Sequence, residues 1–192
     1  MQLTERAKQL IPHARIVSFS TWKNSHAETI IAIFQKADDE GRYLTDQDVA
    51  TLKNLSPHLA SSLNQAQILR DKAADIIAQA RHQVIEKFPE ITEPDGGLYP
   101  PPRAEACWRD FWHFLRCITY GIAGENEQFT SQKGLENMEL LYQELQVPLA
   151  AMLWGLERLK ISGLQLFSSE EQTQLSPYFD HLIQALQQFQ SA

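Results

Sequence analysis

Hydrophobic and polar residues follow one another along this chain with the period of an α-helix. Between residues 57 and 87, apolar residues recur every three or four positions, at Leu59, Leu63, Ala66, Ala73, Ile77, Ala80 and Val84. A similar stripe predicts a helix over residues 27–39. Strand-type alternation is nearly missing, and the one segment with β character, residues 15–22, is predicted to be an extended connector. The pattern therefore predicts an all-α protein.

Prolines, glycines and capping residues set the predicted helix ends. Thr45 is followed three residues later by Asp48, which predicts a capping box at a helix start. Residues 88–103 contain five prolines and two glycines, which predicts a loop. We predict the remaining helices over residues 3–10, 27–39, 57–87, 105–126, 130–145, 148–160 and 169–189, the last broken or kinked at Pro177. Seven or eight helices with short connections indicate a globin-like or bundle architecture.

Composition narrows the class of protein. The chain has 192 residues, enough for one domain with a sizeable core. Its net charge is −7 and it has no dense Lys/Arg run, so we expect no nucleic-acid binding. No apolar run approaches the roughly 20 residues of a membrane span, and the first residues lack the apolar block of a signal peptide. We therefore expect a cytoplasmic protein that does not span a membrane.

The chain has two cysteines, Cys107 and Cys117. They lie ten residues apart on one predicted helix, which separates their Cα atoms by about 15 Å and excludes a disulfide. Neither belongs to a CxxC or Cys/His metal spacing, so we predict no metal site. Each is either a buried small apolar residue or a functional thiol.

The helix predicted over residues 105–126 carries many of the side chains that could bind a ligand or react. At about 100° per residue, one face is apolar and carries Phe111, Phe114, Leu115, Ile118 and Ile122. The opposite face carries Arg109, His113, Arg116 and Tyr120. Arg103, Cys107 and Asp110 line one margin of the apolar face. A thiol, a carboxylate and a guanidinium thus project side by side.

This helix allows several interpretations. It is either a core helix with a solvated Arg/His stripe, or the wall of a ligand site. In the second case Cys107 attaches the ligand, Asp110 binds its N–H groups and arginines bind its carboxylates. A catalytic Cys–His pair is disfavoured because His113 points elsewhere on the helical wheel, so we expect no enzyme. Haem ligation through His82 or His113 is a further alternative.

Five segments in order resemble motifs of the phycobiliproteins, the bilin-carrying antenna proteins of cyanobacterial phycobilisomes. The central match is "CWRDFWHFLRCITYGIAGEN", which is similar to the family's C-x-R-D-x-x-x-x-L-R-x-x-T-Y-x-x-x-A-G-D/E. The other matches are "RYLTDQDVATLKN", "KFPEITEPDGGLY", "KGLENMELLYQELQVPLAAMLWGLERLK" and "PYFDHLIQAL". The resemblance covers roughly residues 27–188 and is that of a divergent, allophycocyanin- or phycocyanin-like member.

The resemblance implies roles for individual residues. Cys107 matches the cysteine that forms a thioether to ring A of an open-chain tetrapyrrole of the phycocyanobilin type. Asp110 matches the acid that accepts hydrogen bonds from the inner pyrrole nitrogens, and Arg109 matches an arginine that binds a propionate. Arg103 matches a basic position on the entry side, and Tyr120 matches the tyrosine of the T-Y pair.

Some positions depart from the family pattern. The family's tyrosine pair is replaced by His113 and Phe114, and the residue after the cysteine is Trp108. Trp108 and His113 are therefore added to the candidate bilin-contacting residues. Gly97 stands where the family has an asparagine, and three prolines follow Tyr99.

The expected architecture is a globin-like phycobiliprotein fold with extra N-terminal helices. We divide the chain into an N-terminal extension, residues 1–26, and a globin-like phycobiliprotein domain, residues 27–192. The extension lies ahead of helices that pair α and β subunits in the family, so it would cover or alter that interface.

The expected function is covalent bilin binding for light harvesting, energy transfer or photo-response in cyanobacteria. The alternative is a bilin-free phycobilisome-family protein that acts in assembly, docking or regulation of the photosynthetic apparatus. An unrelated globin-like ligand carrier is a third interpretation. Expected partners are a second copy in a homodimer, a phycobilisome-type oligomer, or phycobilisome or photosystem components. The expected location is the cytoplasm, where the protein would bind peripherally at the thylakoid surface.

Overall fold

Nine α-helices form the described part of the chain, which in the computed structural model comprises residues 3–190. The helices are α1 Glu5–Leu10, α2 Glu28–Asp39, α3 Asp46–Leu55, α4 Ala60–Asp71, α5 Ala73–Lys87, α6 Pro101–Ala123, α7 Gln132–Glu144, α8 Leu149–Leu164 and α9 Ser169–Gln187. Short 3-10 turns cover Ile11–His13, Ser20–Asn24 and Pro57–Leu59. Within these residues the only β pairing is an isolated antiparallel bridge between Val17 and Thr130. The all-α prediction is confirmed.

Helix α6 occupies the centre of the fold and packs against α4, α5, α8 and α9. Fourteen of its 23 residues are buried, including every residue from Phe114 to Ala123. Helix α8 approaches closely at Gly155, where a Cβ atom would overlap the ring of Phe111. A helix that is buried on all sides in its second half belongs to the core.

The helix predicted over residues 57–87 is in fact divided into α4 and α5. The chain leaves helical geometry at Lys72, where φ is −102° and ψ is 5°. Helix α4 packs mainly on α6, whereas α5 packs mainly on α8. The two helices thus have different packing partners, and the sequence has no proline or glycine at this point that would predict the break.

The loop predicted over residues 88–103 is too long by three residues. Helix α6 begins at Pro101, so Arg103 already lies in its first turn. Proline is compatible with this position because the first N–H groups of a helix have no intrahelical acceptor.

Two further helix features are settled by the structure. The capping box is confirmed, since Thr45 Oγ1 accepts from the N–H of Asp48 and the Asp48 carboxylate accepts from the N–H of Thr45 at 2.9 Å. The predicted break at Pro177 does not occur, since α9 continues through this residue as one helix.

The N-terminal residues add two buried aromatic rings to the core. Phe19 and Trp22 lie 4.8 Å apart between ring centroids, and Trp22 lies 5.0 Å from Phe34 of α2. Trp22 is fully buried and fits against Gly124, where a Cβ atom would overlap the indole. These contacts join the N-terminal residues to α2 and to the end of α6.

Backbone hydrogen bonds hold the same segment to the α6–α7 connection. The N–H of Ser18 donates to the carbonyl of Phe129 at 2.9 Å, and the N–H of Ser131 donates to the carbonyl of Ile16 at 2.7 Å. Residues 3–26 thus pack on the same core as the residues that follow. The domain boundary between residues 26 and 27 remains a prediction.

Candidate functional site

Long side chains of α6 reach across to α7 at the residues that the sequence analysis singled out. Arg103, Cys107 and Asp110 follow one another along α6, one helical turn apart, and Tyr142 faces them from α7. Arg103 bonds to the chain just after α7, whereas Asp110 bonds to Tyr142 one turn earlier, so the two helices run in opposite directions. We call these four residues the α6–α7 seam.

Cys107 provides the thiol of the seam. Its side chain is free of a disulfide and the residue is only 4% exposed. Burial, together with the nearby Asp110 carboxylate, raises the pKa of this thiol to about 12. The second cysteine, Cys117, is also free and buried, and burial raises its pKa to about 12 as well. Both thiols are therefore protonated at neutral pH, and the prediction that they form no disulfide is confirmed.

Asp110 provides the carboxylate of the seam. Its Oδ2 accepts a hydrogen bond of 2.8 Å from the hydroxyl of Tyr142. Burial raises the pKa of Asp110 to about 6, although the Tyr142 hydrogen bond and the charge of Arg109 act in the opposite direction. This carboxyl group is thus expected to change between its neutral and charged forms near pH 6, closer to neutrality than an ordinary aspartate.

Tyr142 is a site residue that the sequence analysis missed. Burial and the Asp110 carboxylate raise its pKa well above the ordinary value, so the hydroxyl remains a donor. In the sequence Tyr142 lies on the apolar stripe of a later helix, and a residue in that position is typically part of the core. A single sequence gives no signal that pairs it with Asp110.

Arg103 stands at the entrance to the seam. Its Nε donates to the carbonyl of Gly97 at 2.7 Å, and its Nη2 donates to the carbonyls of Leu145 at 2.6 Å and Gln146. All three acceptors are neutral, so these bonds leave the positive charge of the guanidinium without compensation. That charge lowers the pKa of the neighbouring Cys107, against the larger effect of burial.

Three other candidate residues lie around the seam. Arg109 and His113 are exposed on α6. Trp108 is buried and faces α5, where the guanidinium of Arg81 lies 5.3 Å from its ring centroid. Its Nε1 is buried and donates to no acceptor in the described part of the chain.

Tyr120 is not brought to Cys107 and Asp110. It lies ten residues beyond Asp110, about 15 Å along the helix, and its hydroxyl donates to the carbonyl of Arg42. Arg116, one turn earlier, donates to the Tyr120 hydroxyl at 2.9 Å. Both residues are buried, so the interpretation of a solvated stripe is wrong at these two positions. The reason is that α2 and the N-terminal residues cover this face of α6.

Two cavities lie at opposite ends of the seam. The first has a volume of about 470 Å³ and lies beyond Arg103, with Gly97 and Pro148 in its wall. The second has a volume of about 270 Å³ and lies beyond Asp110, with Phe114 of α6 and Met138 of α7 in its wall. Each end of the seam therefore lies beside a concave region.

The chain matches the family described as "Phycobilisome protein" over residues 32–186, which is most of its length. It belongs to this family. The resemblance stated from the motifs is thereby confirmed, and so is the expectation of an all-α, globin-like phycobiliprotein fold.

Curated relatives agree with this membership. The chain is 31% identical to "Allophycocyanin subunit alpha-B" of Synechocystis over 152 residues, covering 79% of the chain and 94% of the relative. It is 32% identical to "Allophycocyanin alpha-B chain" of Synechococcus over 160 residues, covering 83% of the chain and 98% of the relative. It is also 32% identical to "Allophycocyanin alpha chain" of Cyanophora paradoxa over 151 residues, covering 79% of the chain and 94% of the relative.

In this phycobilisome-family protein, the whole seam lies inside the family match, whereas residues 3–26 lie outside it. Across residues 3–190, no group of His, Cys, Asp and Glu residues is arranged to hold a metal ion. None of the helices described is long and apolar enough to cross a membrane. The chemistry that the seam offers is a thiol, a carboxylate that accepts hydrogen bonds and a nearby cation, a set suited to a ligand with N–H and carboxylate groups.

Proposed function

We propose that this protein binds an open-chain tetrapyrrole (bilin) of the phycocyanobilin type covalently at Cys107 and acts in light harvesting, energy transfer or photo-response, without catalysing a reaction. The observation that carries the proposal is the seam itself. In a member of the phycobilisome family, Cys107 and Asp110 lie one turn apart on α6, and Arg103 stands one turn before them.

The residues present fit such a ligand. Within the described residues one hydrogen bond reaches the Asp110 carboxylate, and the donor Trp108 Nε1 is buried without an acceptor. Asp110 would accept hydrogen bonds from the pyrrole N–H groups, and a cationic ligand would favour its charged form. Arg103 and Arg109 would bind the propionates, and His113 would contact the ligand from the rim of the cavity beyond Asp110.

Two further residues support the site. Trp108 packs the first half of α6 against α5 through Arg81, and Tyr120 ties the other end of α6 to the carbonyl of Arg42. When bound, the bilin supplies absorption of visible light. The surrounding side chains would restrict its motion and exclude water.

Attachment of the ligand requires the seam to open. The S–H of Cys107 adds across a carbon–carbon double bond of ring A, so that sulfur bonds to carbon, the proton passes to carbon and no group leaves. Because Cys107 is only 4% exposed, this addition requires a movement of the neighbouring side chains. Release of the Arg103 hydrogen bonds to Gly97 and to the end of α7 would provide that movement.

The burial of Cys107 also favours a second candidate function. A buried thiol whose pKa is raised to about 12 reacts poorly as a nucleophile. The alternative is a bilin-free member of the family that acts in assembly, docking or regulation of the photosynthetic apparatus. In either case we propose a homodimer or a phycobilisome-type oligomer, a cytoplasmic location at the thylakoid surface, and phycobilisome or photosystem components as partners.

Covalent attachment is tested by co-expression with phycocyanobilin synthesis and lyase enzymes, followed by zinc-induced fluorescence on a denaturing gel. The wild-type chain and Cys107→Ala are compared, with Cys117→Ala as a matched control because both cysteines are free, buried and on α6. We expect fluorescence from the wild type and Cys117→Ala and none from Cys107→Ala. Equal signals from wild type and Cys107→Ala, or no signal from any chain, would exclude attachment at Cys107.

The partners are tested separately. Multi-angle light scattering of the purified chain gives its mass and so distinguishes a monomer from an oligomer. Incubation with isolated phycobilisome cores and photosystems, followed by sucrose-gradient sedimentation, tests docking. Co-migration without zinc-induced fluorescence would favour the bilin-free function. If the chain sediments separately from both the phycobilisome cores and the photosystems, the result would count against that function.

A further inference from the structure

The cavity beyond Asp110 has walls from two parts of the chain. On one side lie Asp110, His113 and Phe114 of α6. On the other side lie residues 11–17, from which Ile11, Ala14, Arg15, Ile16 and Val17 line the cavity. The N-terminal segment therefore closes a space into which the candidate bilin-binding carboxylate faces.

This wall is held firmly in place. Arg15 binds Asp38 at 2.6 Å and Asp39 at 2.8 Å, both at the end of α2. Its carbonyl approaches α7 at Gly134, where a Cβ atom would overlap it. Together with the backbone hydrogen bonds at Ile16 and Ser18, these contacts fix the C-terminal end of the lining residues, and the 3-10 turn Ile11–His13 packs on α7.

One residue of the cavity wall carries a buried donor without an acceptor in the described part of the chain. Arg116 lines the cavity and is only 7% exposed, yet its Nε has no acceptor among the residues the structure describes. The volume of about 270 Å³ is below the roughly 300–1,000 Å³ of pockets that enclose a whole drug-sized ligand. The cavity would therefore take one end of a tetrapyrrole, with the rest along the seam.

We propose that residues 11–17 form one wall of the bilin pocket, so that the end of the ligand beyond Asp110 lies between this segment and α6. The proposal rests on the bilin binding proposed above. The segment precedes residue 32, where the family match begins, so this wall is an addition of the present chain. Because Arg15 is already paired with two carboxylates, we do not assign it a charged group of the ligand. The wall then contributes its shape and the apolar contacts of its other residues.

The test uses free phycocyanobilin titrated into the purified full chain, with binding followed by its absorption. Ala14→Phe places a ring in the proposed pocket, and Ala150→Phe places the same ring in the other cavity, which Ala150 lines from an exposed position. We expect Ala14→Phe to weaken binding by about tenfold or more, the scale of overpacking, and Ala150→Phe to change it by about twofold or less.

The outcomes separate the two proposals. If the wild type does not bind phycocyanobilin, the proposed function and the wall both fail. If the wild type binds and Ala14→Phe binds equally well, or if both variants weaken binding equally, only the wall fails. Circular dichroism establishes that each variant is folded, and Ala14→Leu, with a smaller side chain, replaces Ala14→Phe if that variant unfolds.

Hydrogen exchange gives a second measurement on the unaltered chain. Bound phycocyanobilin is expected to slow amide exchange in peptides that cover residues 11–17, relative to the free protein. Unchanged exchange in these peptides, at phycocyanobilin concentrations that saturate the wild type, would overturn the proposed wall.

Discussion

Replacement of Asp110 by asparagine is predicted to stabilise the protein at neutral pH. The pKa of Asp110 is raised from 3.8 to about 6, chiefly by burial. The folded protein therefore holds this proton more tightly than the unfolded chain. The resulting stabilisation is complete below pH 3.8 and is lost as the pH rises through about 6. In Asp110→Asn the side chain is neutral throughout and still accepts from Tyr142.

The size of the effect follows from the pKa. A rise of about two units corresponds to about 3 kcal/mol at about 1.36 kcal/mol per unit. Partial exposure of Asp110 reduces this to about 1–2 kcal/mol. The variant should therefore gain about 1–2 kcal/mol in free energy of unfolding, relative to wild type, between about pH 4.5 and about pH 7.5.

Urea unfolding followed by circular dichroism at both pH values measures this difference. Asp75→Asn serves as a control because it removes an exposed carboxylate from another helix. A difference between Asp110→Asn and wild type that stays constant within about 0.5 kcal/mol over this range would refute the reasoning. It would mean that burial does not disfavour the charged form of Asp110.

Three further substitutions test the packing and capping of the described helices, each by chemical unfolding. Trp22→Ala is predicted to lower the free energy of unfolding by about 3–5 kcal/mol, since the indole is fully buried. A loss below about 1 kcal/mol would mean that the N-terminal residues are not packed as described. Gly155→Ala is predicted to cost about 1–3 kcal/mol because its Cβ would overlap Phe111, and a neutral result would show that α8 shifts freely. Thr45→Ala is predicted to cost about 1 kcal/mol through loss of the hydrogen bond from the Asp48 N–H, and an unchanged midpoint would contradict the capping role.

The helices were predictable because their signals are local. Periodicity and capping residues located most of them, and the Thr45 capping box was correct. The division at Lys72 was not predictable, because it follows from α4 and α5 meeting different partners. The start of α6 at Pro101 was misjudged for a related reason, since proline permits both a loop and the first turn of a helix.

The candidate site was predictable where its residues share one helix. Cys107 and Asp110 lie on α6, so their spacing alone placed them on a common margin. Tyr142 comes from α7, and only the packing of the chain brings its hydroxyl to the carboxylate. Arg103 was expected to face a ligand, yet it bonds to backbone carbonyls, which no side-chain pattern encodes.

The two faces of α6 have different surroundings, and the N-terminal segment contacts both. One face joins the seam, where the half-buried Asp110 carboxylate lowers stability as the pH rises through about 6. On the other face Arg116 pairs with Asp38, and Arg15 of the N-terminal segment pairs with both Asp38 and Asp39. The same segment that pairs with Asp38 also lines the cavity beyond Asp110. A change in the position of this segment would therefore alter the cavity and the core together, so the proposed ligand binding would be coupled to the stability of the whole chain.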